Sequence, residues 1–247
     1  MKHKMILTRR KALVAGLSAM GALVLPGCTK TMPPTYGNIL RMGDALTYVA
    51  HRALLPGQSL VKEYAHGDIS SFPAIGTVNP GDSSKQHYSE DYAKLTRNSF
   101  EDWRLVVEGS VKRPAAFSLA ELQSYPVQNQ ITRHTCEEGW TAIAEWSGVP
   151  LGLILQKVGI TQSARFVSFY CYDGWVDSID MLDAFHPQTI LAYGMNGRSL
   201  PIQHGAPLRL RVETQVGYKS LKYLSKIVVT DEFVDLGDSG WAWYVGI

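Results

Sequence analysis

Residues 131–140 bring together side chains that can bind a metal or line a catalytic site. Cys136 follows Arg133 and His134 and precedes Glu138 and Trp140. Cationic neighbours favour the thiolate form of a cysteine, and a thiolate is a ligand that suits soft or high-valent metals. Glu138 and Trp140 would then line the approach to that metal. One interpretation of the segment is therefore a metal-binding thiolate.

The other interpretation of Cys136 is structural. Besides Cys28 near the N-terminus, the sequence holds only one further cysteine, Cys171. Two cysteines of an exported protein commonly form a disulfide, and an unpaired cysteine commonly packs as a small buried residue. A Cys136–Cys171 disulfide would remove the metal ligand, so the two interpretations exclude each other. Residue chemistry alone leaves them open.

Several common active-site patterns are absent from the sequence. It contains no Cys-x-x-Cys or His-Glu-x-x-His zinc spacing, no phosphate-binding P-loop, no dinucleotide-binding glycine pattern and no Gly-x-Ser-x-Gly elbow. The formal net charge of +2 comes from the N-terminus. Without residues 1–27, which hold five basic residues and no acid, 19 basic and 22 acidic residues remain, a net charge of −3. We therefore expect no nucleic-acid partner.

The N-terminus has the features of an export signal. Arg9 and Arg10 precede a mildly apolar stretch that is shorter than the roughly 20 residues of a membrane-spanning helix. Residues 1–27 are thus predicted to be a twin-arginine signal, which exports proteins already folded. An ordinary secretory signal is the alternative. The segment ends in Leu-Pro-Gly-Cys28, which is similar to a lipoprotein cleavage box, so Cys28 is a candidate for lipidation.

The helices and strands that would position Cys136 are predicted in the part of the chain that follows an irregular N-terminal arm. Residues 28–98 are rich in proline and glycine turns and are expected to wrap over the core, with short helices near 44–49 and 89–95. Residues 99–247 should form one domain. Its helices are predicted after the capping box of Ser118 and Glu121 and after Pro150. Its strands are predicted over 103–109, 130–135, 166–170, 208–212 and 226–230, with tight turns at Asp173-Gly174 and Asn196-Gly197. Strands outnumber helices and alternate with them irregularly, which predicts the α+β class.

The segment Arg-His-Thr-Cys-Glu-Glu-Gly-Trp at 133–140, followed by Trp-Ser-Gly-Val-Pro-Leu at 146–151, resembles the core motif of the sulfite-oxidase family of molybdopterin enzymes. Residues 191–209 and 217–222 are similar to the second and third blocks of that family. The nearest branch is the bacterial periplasmic one that includes the catalytic subunit of the methionine sulfoxide reductase system. The resemblance covers residues from about Asn79 to the C-terminus.

This resemblance implies a sulfite-oxidase-type molybdopterin-binding fold of mixed β-sheets and short helices, and we expect no added dimerisation domain. It implies one molybdenum with one molybdopterin, and Cys136 as the only protein ligand of the metal. Glu138 and Trp140 would flank the catalytic position. The residues that would bind the cofactor are Asn79, Cys136, Cys171, His204, Arg209, Ser220, Leu221 and Lys222.

The chemistry of several of these residues suits the cofactor. Molybdopterin carries a phosphate, which Arg209 could bind bidentately and Lys222 as a point charge. His204 offers ring donors at a position where the reductase branch has asparagine. Ser220 and Leu221 lie where the family uses mainly backbone contacts. Cys171 lies where that branch has a cofactor-contacting threonine, and it is equally consistent with a small buried strand residue.

By the same resemblance, the reaction is two-electron oxygen-atom transfer in the cell envelope. The favoured direction is reduction of a sulfoxide or N-oxide with electrons from a membrane haem b subunit or a periplasmic cytochrome. One alternative is sulfite-type oxidation, for which Arg133, Arg198 and Arg211 are candidate anion-binding residues. The other is a metal-free binding domain with a Cys136–Cys171 disulfide. We expect the protein in the periplasm or at the outer face of the cytoplasmic membrane, attached to it only if Cys28 is lipidated.

Overall fold

The computed structural model describes residues 59–232 together with Leu46, Ala50, Ala53 and Leu54. The predicted twin-arginine signal over 1–27 and the lipidation candidate Cys28 lie outside the described residues. The predicted helix near 44–49 also lies outside them, apart from Leu46. Among the described residues, no helix has the length and the apolar character needed to cross a bilayer.

The described chain contains ten strands and four short α-helices. The strands are β1 (Arg104–Gly109), β2 (Ala115–Ser118), β3 (Gln128–Thr135), β4 (Thr141–Pro150), β5 (Phe166–Cys171), β6 (Val176–Asp180), β7 (Ile190–Met195), β8 (Arg198–Ser199), β9 (Arg209–Arg211) and β10 (Leu224–Thr230). The helices are α1 (Glu90–Arg97), α2 (Leu119–Gln123), α3 (Leu151–Val158) and α4 (Met181–Ala184).

These strands form two mixed or antiparallel sheets. The first has the order β2-β1-β10-β5-β6, in which only the β1–β10 pair is parallel. The second has the order β3-β4-β7-β8, and β9 pairs with the same β7 edge as β8. All pairs of the second sheet are antiparallel. The predicted α+β class and the mixed sheets with short helices are therefore confirmed.

The larger hydrophobic core packs the first sheet against α3. Its buried side chains include Trp103, Leu105, Phe169 and Ile227. Helix α3 begins after Pro150 and is capped at its C-terminus by Gly159, whose φ of 70° suits a residue without a Cβ. It buries Leu151, Ile154, Leu155 and Val158 on one face. Burial of such an apolar face supplies most of the stability of a short helix.

Local sequence signals account for several element boundaries. The Ser118 hydroxyl accepts from the Glu121 N–H, and the Glu121 carboxylate accepts from the Ser118 N–H, which completes the predicted capping box of α2. Asn196 and Gly197 both have positive φ in the turn between β7 and β8, as a two-residue hairpin requires. Strands β2, β4 and β6 and helix α4 are not predicted from the sequence.

The segment before α1 crosses the second sheet. The Tyr64 N–H donates to Ile131 O, and the Ser70 N–H donates to Ile143 O. Earlier in the same segment, the Val61 N–H donates to the Gln188 side-chain oxygen, and Gln188 Nε2 donates to Val61 O. These contacts hold the segment against β3 and β4, the two strands on either side of Cys136. They also place Phe72 next to these strands.

Candidate active site

A cavity of about 820 Å³ lies between the segment over 72–78 and the loops that follow β3, β5 and β9. Its volume is in the range of small-molecule and cofactor sites. Seven of the residues predicted from the sequence line it: Cys136, Trp140, His204, Arg209, Ser220, Leu221 and Lys222. Three others, Asn79, Glu138 and Cys171, are not among its lining residues.

Cys136 begins the five-residue loop, 136–140, between β3 and β4. Its N–H donates to Trp140 O over 2.9 Å, and its carbonyl accepts from the Gly139 N–H over 3.1 Å. Gly139 has a φ of 90°, which a glycine adopts without steric cost. Alternate residues of a strand share a face, so Cys136 continues the buried face of Thr132 and His134. The loop thereby brings the thiol to the cavity wall.

The electrostatic surroundings of Cys136 differ from the sequence-based expectation. Arg133 is exposed and its guanidinium lies 5.1 Å from the ring centre of Tyr64. Burial and the neighbouring Arg211 and Arg209 lower the pKa of His134 to about 2, so its ring is neutral. Burial raises the pKa of the Cys136 thiol. The expectation that Arg133 and His134 favour a thiolate is therefore wrong; a bound metal cation would favour the deprotonated form.

Glu138 acts on the loop from outside the cavity. Its carboxylate accepts from the Trp140 indole N–H over 3.0 Å, and its backbone N–H donates to Cys136 Sγ over 3.5 Å. Glu138 therefore orients Trp140, which does line the cavity. Glu137, which the sequence did not single out, lines the cavity as well.

Arg209 is a buried cation at the cavity wall. Its Nη1 donates to His204 O over 2.9 Å and its Nη2 to Ser220 O over 2.8 Å, which joins two loops of the wall. Its Nε has no hydrogen-bond partner among the described residues. Burial and the nearby Arg211 lower the pKa of Arg209 to about 9. A buried cation with an unused donor is suited to an anionic ligand.

Lys222 and His204 extend this polar wall. Lys222 Nζ donates to the carbonyls of Ile75 and Thr77, and burial lowers its pKa to about 8. Burial, Arg209 and Lys222 lower the pKa of His204 to about 4, so the ring is neutral at neutral pH. Lys222 thus holds a cavity segment while it contributes positive charge to the wall.

Ser220 and Leu221 use their backbones to hold the wall together. Ser220 O accepts from Arg209, and the Ser220 hydroxyl accepts from the Val212 N–H. Leu221 O accepts from the Leu210 N–H. Both residues line the cavity through this loop.

None of the three arginines considered for sulfite binding lines the cavity. Arg133 and Arg198 are exposed. Arg211 is buried and bound bidentately to Glu213 at 3.0 and 2.8 Å. Arg209 is the arginine that lines the cavity.

Asn79 and Cys171 serve the structure around the cavity. The Asn79 side chain accepts from the Gly81 N–H over 2.9 Å and so closes a turn beside the lining residue Val78. Cys171 packs in the larger core, and burial raises the pKa of its thiol well above its usual range. Cys136 and Cys171 are both free thiols, so the alternative of a disulfide between them is not the arrangement of this structure.

Phe72, Asp173 and Tyr218 line the cavity without having been predicted. Phe72 makes an edge contact with His204 at 5.5 Å and with Trp140 at 5.8 Å. Burial raises the pKa of the Asp173 carboxyl, whereas the Trp175 N–H and Lys222 oppose that shift. The Asp173-Gly174 turn was visible in the sequence, but its orientation towards a cavity was not.

The donor set excludes an ordinary multi-ligand metal site within the described residues, where no group of three or more His, Cys, Asp or Glu is placed to hold a metal ion. It contains instead one thiol, Cys136, together with the buried cations Arg209 and Lys222. This combination fits a metal that brings most of its own ligands on an anionic organic group.

Residues 92–235, more than half of the chain, match the family model described as oxidoreductase molybdopterin binding domain. A protein of Azospira oryzae, provisionally named protein-methionine-sulfoxide reductase subunit YedZ1, is 42% identical over 58% of this chain and 56% of its own length. The protein-methionine-sulfoxide reductase catalytic subunit MsrP of Xanthomonas campestris pv. campestris is 36% identical over 51% of this chain and 44% of its own length. The match thus covers about half of the length of these curated relatives.

Among solved structures, the sulfane dehydrogenase SoxCD from Paracoccus pantotrophus is similar with a TM-score of 0.52. The alignment has 22% sequence identity and covers 55% of this chain and 40% of that one. At this identity the likeness concerns the fold.

Proposed function

The chain belongs to the sulfite-oxidase family of oxidoreductases with a molybdopterin-binding domain, and on that premise we propose that it reduces a sulfoxide or N-oxide by two-electron oxygen-atom transfer. The observation that carries this proposal is the cavity of about 820 Å³ in which a single thiol, Cys136, shares the wall with the buried cations Arg209 and Lys222.

The residues present fit molybdenum with one molybdopterin. Cys136 would bind the metal, and Arg209 and Lys222 would attract the phosphate. Arg209 Nε is buried and has no partner within the described residues, so an incoming oxygen would satisfy it. His204, Ser220 and Leu221 would complete the polar contacts. When bound, the cofactor supplies a metal centre that exchanges two electrons and an oxygen atom with the substrate.

The residues of the chain position that chemistry and exclude water from it. The Cys136 loop is fixed by two backbone hydrogen bonds, so the thiolate would meet the metal from one direction. Phe72, Trp140 and Trp146 form an aromatic cluster beside it, with Phe72 at 5.8 and 5.4 Å from the two indoles. A water-poor wall strengthens the electrostatic interactions inside the cavity.

The direction of the reaction is inferred from the relatives and from the cations. Two relatives are named protein-methionine-sulfoxide reductase proteins. Sulfite carries two negative charges and would need cationic donors, but none of the candidates Arg133, Arg198 and Arg211 lines the cavity. Arg209 and Lys222 are assigned here to the cofactor phosphate, which leaves the exposed Lys85 as the remaining lysine or arginine of the wall. Both Nη atoms of Arg209 already bind carbonyls. An uncharged sulfoxide group makes no such demand, which supports reduction over sulfite-type oxidation.

The cellular setting is part of the same proposal. A twin-arginine signal over 1–27 would export the protein with its cofactor already bound, to the periplasm or the outer face of the cytoplasmic membrane. Electrons would come from a membrane haem b subunit or a periplasmic cytochrome. Lipidation of Cys28 would attach the protein to the membrane.

The test uses the full chain, purified from a molybdate-supplied host. Molybdenum per protein is measured, and methionine sulfoxide with a reduced dye is compared with sulfite and an oxidised acceptor. We expect near-stoichiometric metal and faster turnover of the sulfoxide. A faster reaction with sulfite, or protein without molybdenum whose thiols are blocked, would overturn the proposal.

Two variants separate the cavity wall from the surface. Lys222→Ala should lower cofactor content because it removes a cation from the wall. Lys226→Ala removes a lysine of β10 that pairs with Glu108 at the surface, and it should keep the wild-type content. Equal loss in both variants would exclude the assigned role of Lys222.

A further inference from the structure

His134 lies on the cavity wall and has so far been given no role. It is buried, and its ring packs 5.1 Å from Phe72 and 5.5 Å from Trp140, measured between ring centres. These contacts restrict the orientation of the ring. Because His134 and Cys136 share one face of the chain at the end of β3, any ligand bound at Cys136 lies beside this imidazole.

A buried ion pair is bound to the far side of that ring. Arg211 Nε and Nη2 donate to the two carboxylate oxygens of Glu213, and Arg211 Nη1 lies 2.8 Å from His134 Nδ1. The side chains of Arg211 and Glu213 are each only 1% exposed. Gln130 Nε2 donates to Glu213 as well, which fixes the carboxylate from another strand.

The direction of the Arg211–His134 hydrogen bond decides the state of the ring. A guanidinium has donors and no acceptor, so Arg211 must donate and His134 Nδ1 must accept. An imidazole that accepts at Nδ1 is neutral and carries its hydrogen at Nε2. The ion pair therefore selects one tautomer of His134.

The Nε2 edge of the ring packs against Gly217. A Cβ built on Gly217 would lie 2.6 Å from His134 Nε2, so only glycine leaves room for the ring there. His134 and Gly217 both line the cavity. Nε2 has no hydrogen-bond partner in the part of the chain that the structure describes, and a ligand can supply the acceptor.

We propose that Arg211 and Glu213 are positioning residues that hold His134 as a neutral imidazole, whose Nε2–H donates a hydrogen bond to an oxygen of the ligand beside Cys136. A fixed donor at this point stabilises negative charge that develops on that oxygen. His134 keeps its proton throughout and takes part in no proton transfer. The inference rests on the proposed function only for the identity of the ligand.

The tautomer is measured directly in the purified full chain labelled with ¹⁵N-histidine. Long-range ¹H–¹⁵N correlation spectra distinguish protonated from unprotonated ring nitrogens, and His134→Gln identifies the resonances of His134. We expect Nε2 protonated and Nδ1 unprotonated at neutral pH. A protonated Nδ1 would overturn the proposal, whether or not the protein reduces a sulfoxide.

The role of the ion pair is tested by the double variant Arg211→Met with Glu213→Leu, which leaves no single buried charge. We expect the resonances of His134 to shift towards a mixture of tautomers. The control variant, Lys226→Met with Glu108→Leu, removes the ion pair of 3.2 Å between β10 and β1 and should leave the tautomer of His134 unchanged. An unchanged tautomer in the first variant, or an equal shift in the control, would contradict the assignment.

If the double variant does not fold, Gly217→Ala gives an independent reading, because its Cβ must displace the ring edge. We expect altered His134 resonances and lower turnover in that variant.

In the loaded enzyme, His134→Leu should lower kcat/KM by about 10²–10³-fold. His134→Gln, which keeps an N–H donor, should restore part of that loss. Equal activity of the Leu and Gln variants would exclude a donor role.

Discussion

The molecule contains two hairpins that are locally alike and differ in what they present to the cavity. The loop at 136–140 has the sequence Cys-Glu-Glu-Gly-Trp, and the loop at 171–175 has Cys-Tyr-Asp-Gly-Trp. In each, the cysteine N–H donates to the tryptophan carbonyl and the glycine N–H donates to the cysteine carbonyl. The glycines have φ values of 90° and 83°.

The difference between them lies in the surroundings. Cys136 lines the cavity, whereas Cys171 packs in the larger core. In the second hairpin it is Asp173 and Trp175 that reach the cavity. The same backbone turn therefore brings a thiol to the cavity in one place and buries the corresponding thiol in the core in the other. A local motif fixes the loop, and the packing around it decides which side chain can meet a ligand.

The largest expected difference is between substitutions of Cys136 and of Cys171, and it concerns the rate of sulfoxide turnover. Cys136→Ala should keep the fold but reduce sulfoxide turnover by more than the roughly 10–100-fold that changes around a metal ligand cost. Circular dichroism checks the fold and a reduced-dye assay checks the activity. Normal turnover in this variant would show that Cys136 is not needed for the reaction and would contradict the proposed difference between the two cysteines.

The second contrast concerns stability. Cys171→Ser places a hydroxyl among apolar side chains and should lower the free energy of unfolding by about 1–3 kcal/mol. Its molybdenum content should stay at the wild-type level, because Cys171 does not line the cavity. Urea unfolding and metal analysis measure the two quantities. Loss of metal without loss of stability would show that Cys171 contacts the cofactor, as its sequence position had suggested.

The two glycines provide a matched pair with a smaller expected effect. No heavy atom lies within 4 Å of a Cβ built on Gly139 or Gly174, so each alanine variant meets only backbone strain. Gly139→Ala and Gly174→Ala should each cost about 1–2 kcal/mol of stability. Thermal unfolding should therefore give similar shifts of the midpoint temperature, while Gly139→Ala, which strains the loop of Cys136, reduces metal content more than Gly174→Ala. Equal metal loss in both variants would remove the functional distinction between the loops.

The smallest effect is a pH dependence from Asp173. Burial raises the pKa of this carboxyl in the folded protein, so the folded state binds more protons than the unfolded state above pH 3.8. The contribution of Asp173 to stability is therefore present below that pH and is lost as pH rises. Asp173→Asn should be more stable than the wild type at pH 7, and this advantage should disappear in acid. Urea unfolding across pH measures it, and an advantage that grows on acidification would reverse the sign.

The sequence was most informative where structure depends on neighbouring residues. The capping box of α2 and the Asn196-Gly197 turn follow from local hydrogen bonds and backbone preferences. It was least informative about β6, where Asp177 and Asp180 do not resemble a buried strand. Asp177 is buried because Lys219 reaches it from a loop 42 residues later, and no local pattern contains that ion pair.

The residues of the candidate site show the same difference between features set by neighbouring residues and features set by distant contacts. Cys136, Arg209 and Lys222 could be selected from the sequence only through an ordered set of motifs, because each is an ordinary residue by itself. Phe72 could not be selected, since it reaches the cavity on an irregular segment held by distant strands. The neutral state of His134 also depends on Arg211, 77 residues away. The residues around Cys136 therefore had to be placed by the tertiary structure.

The assignment of Cys136 as the metal ligand is tested most directly by X-ray absorption at the molybdenum edge of the loaded protein. The spectra are compared among the wild type, Cys136→Ala and Cys171→Ala. The number of sulfur neighbours per molybdenum reports whether a protein thiolate binds the metal. We expect one sulfur fewer in Cys136→Ala and the wild-type number in Cys171→Ala. An unchanged count in Cys136→Ala, or a reduced one in Cys171→Ala, would contradict the assignment.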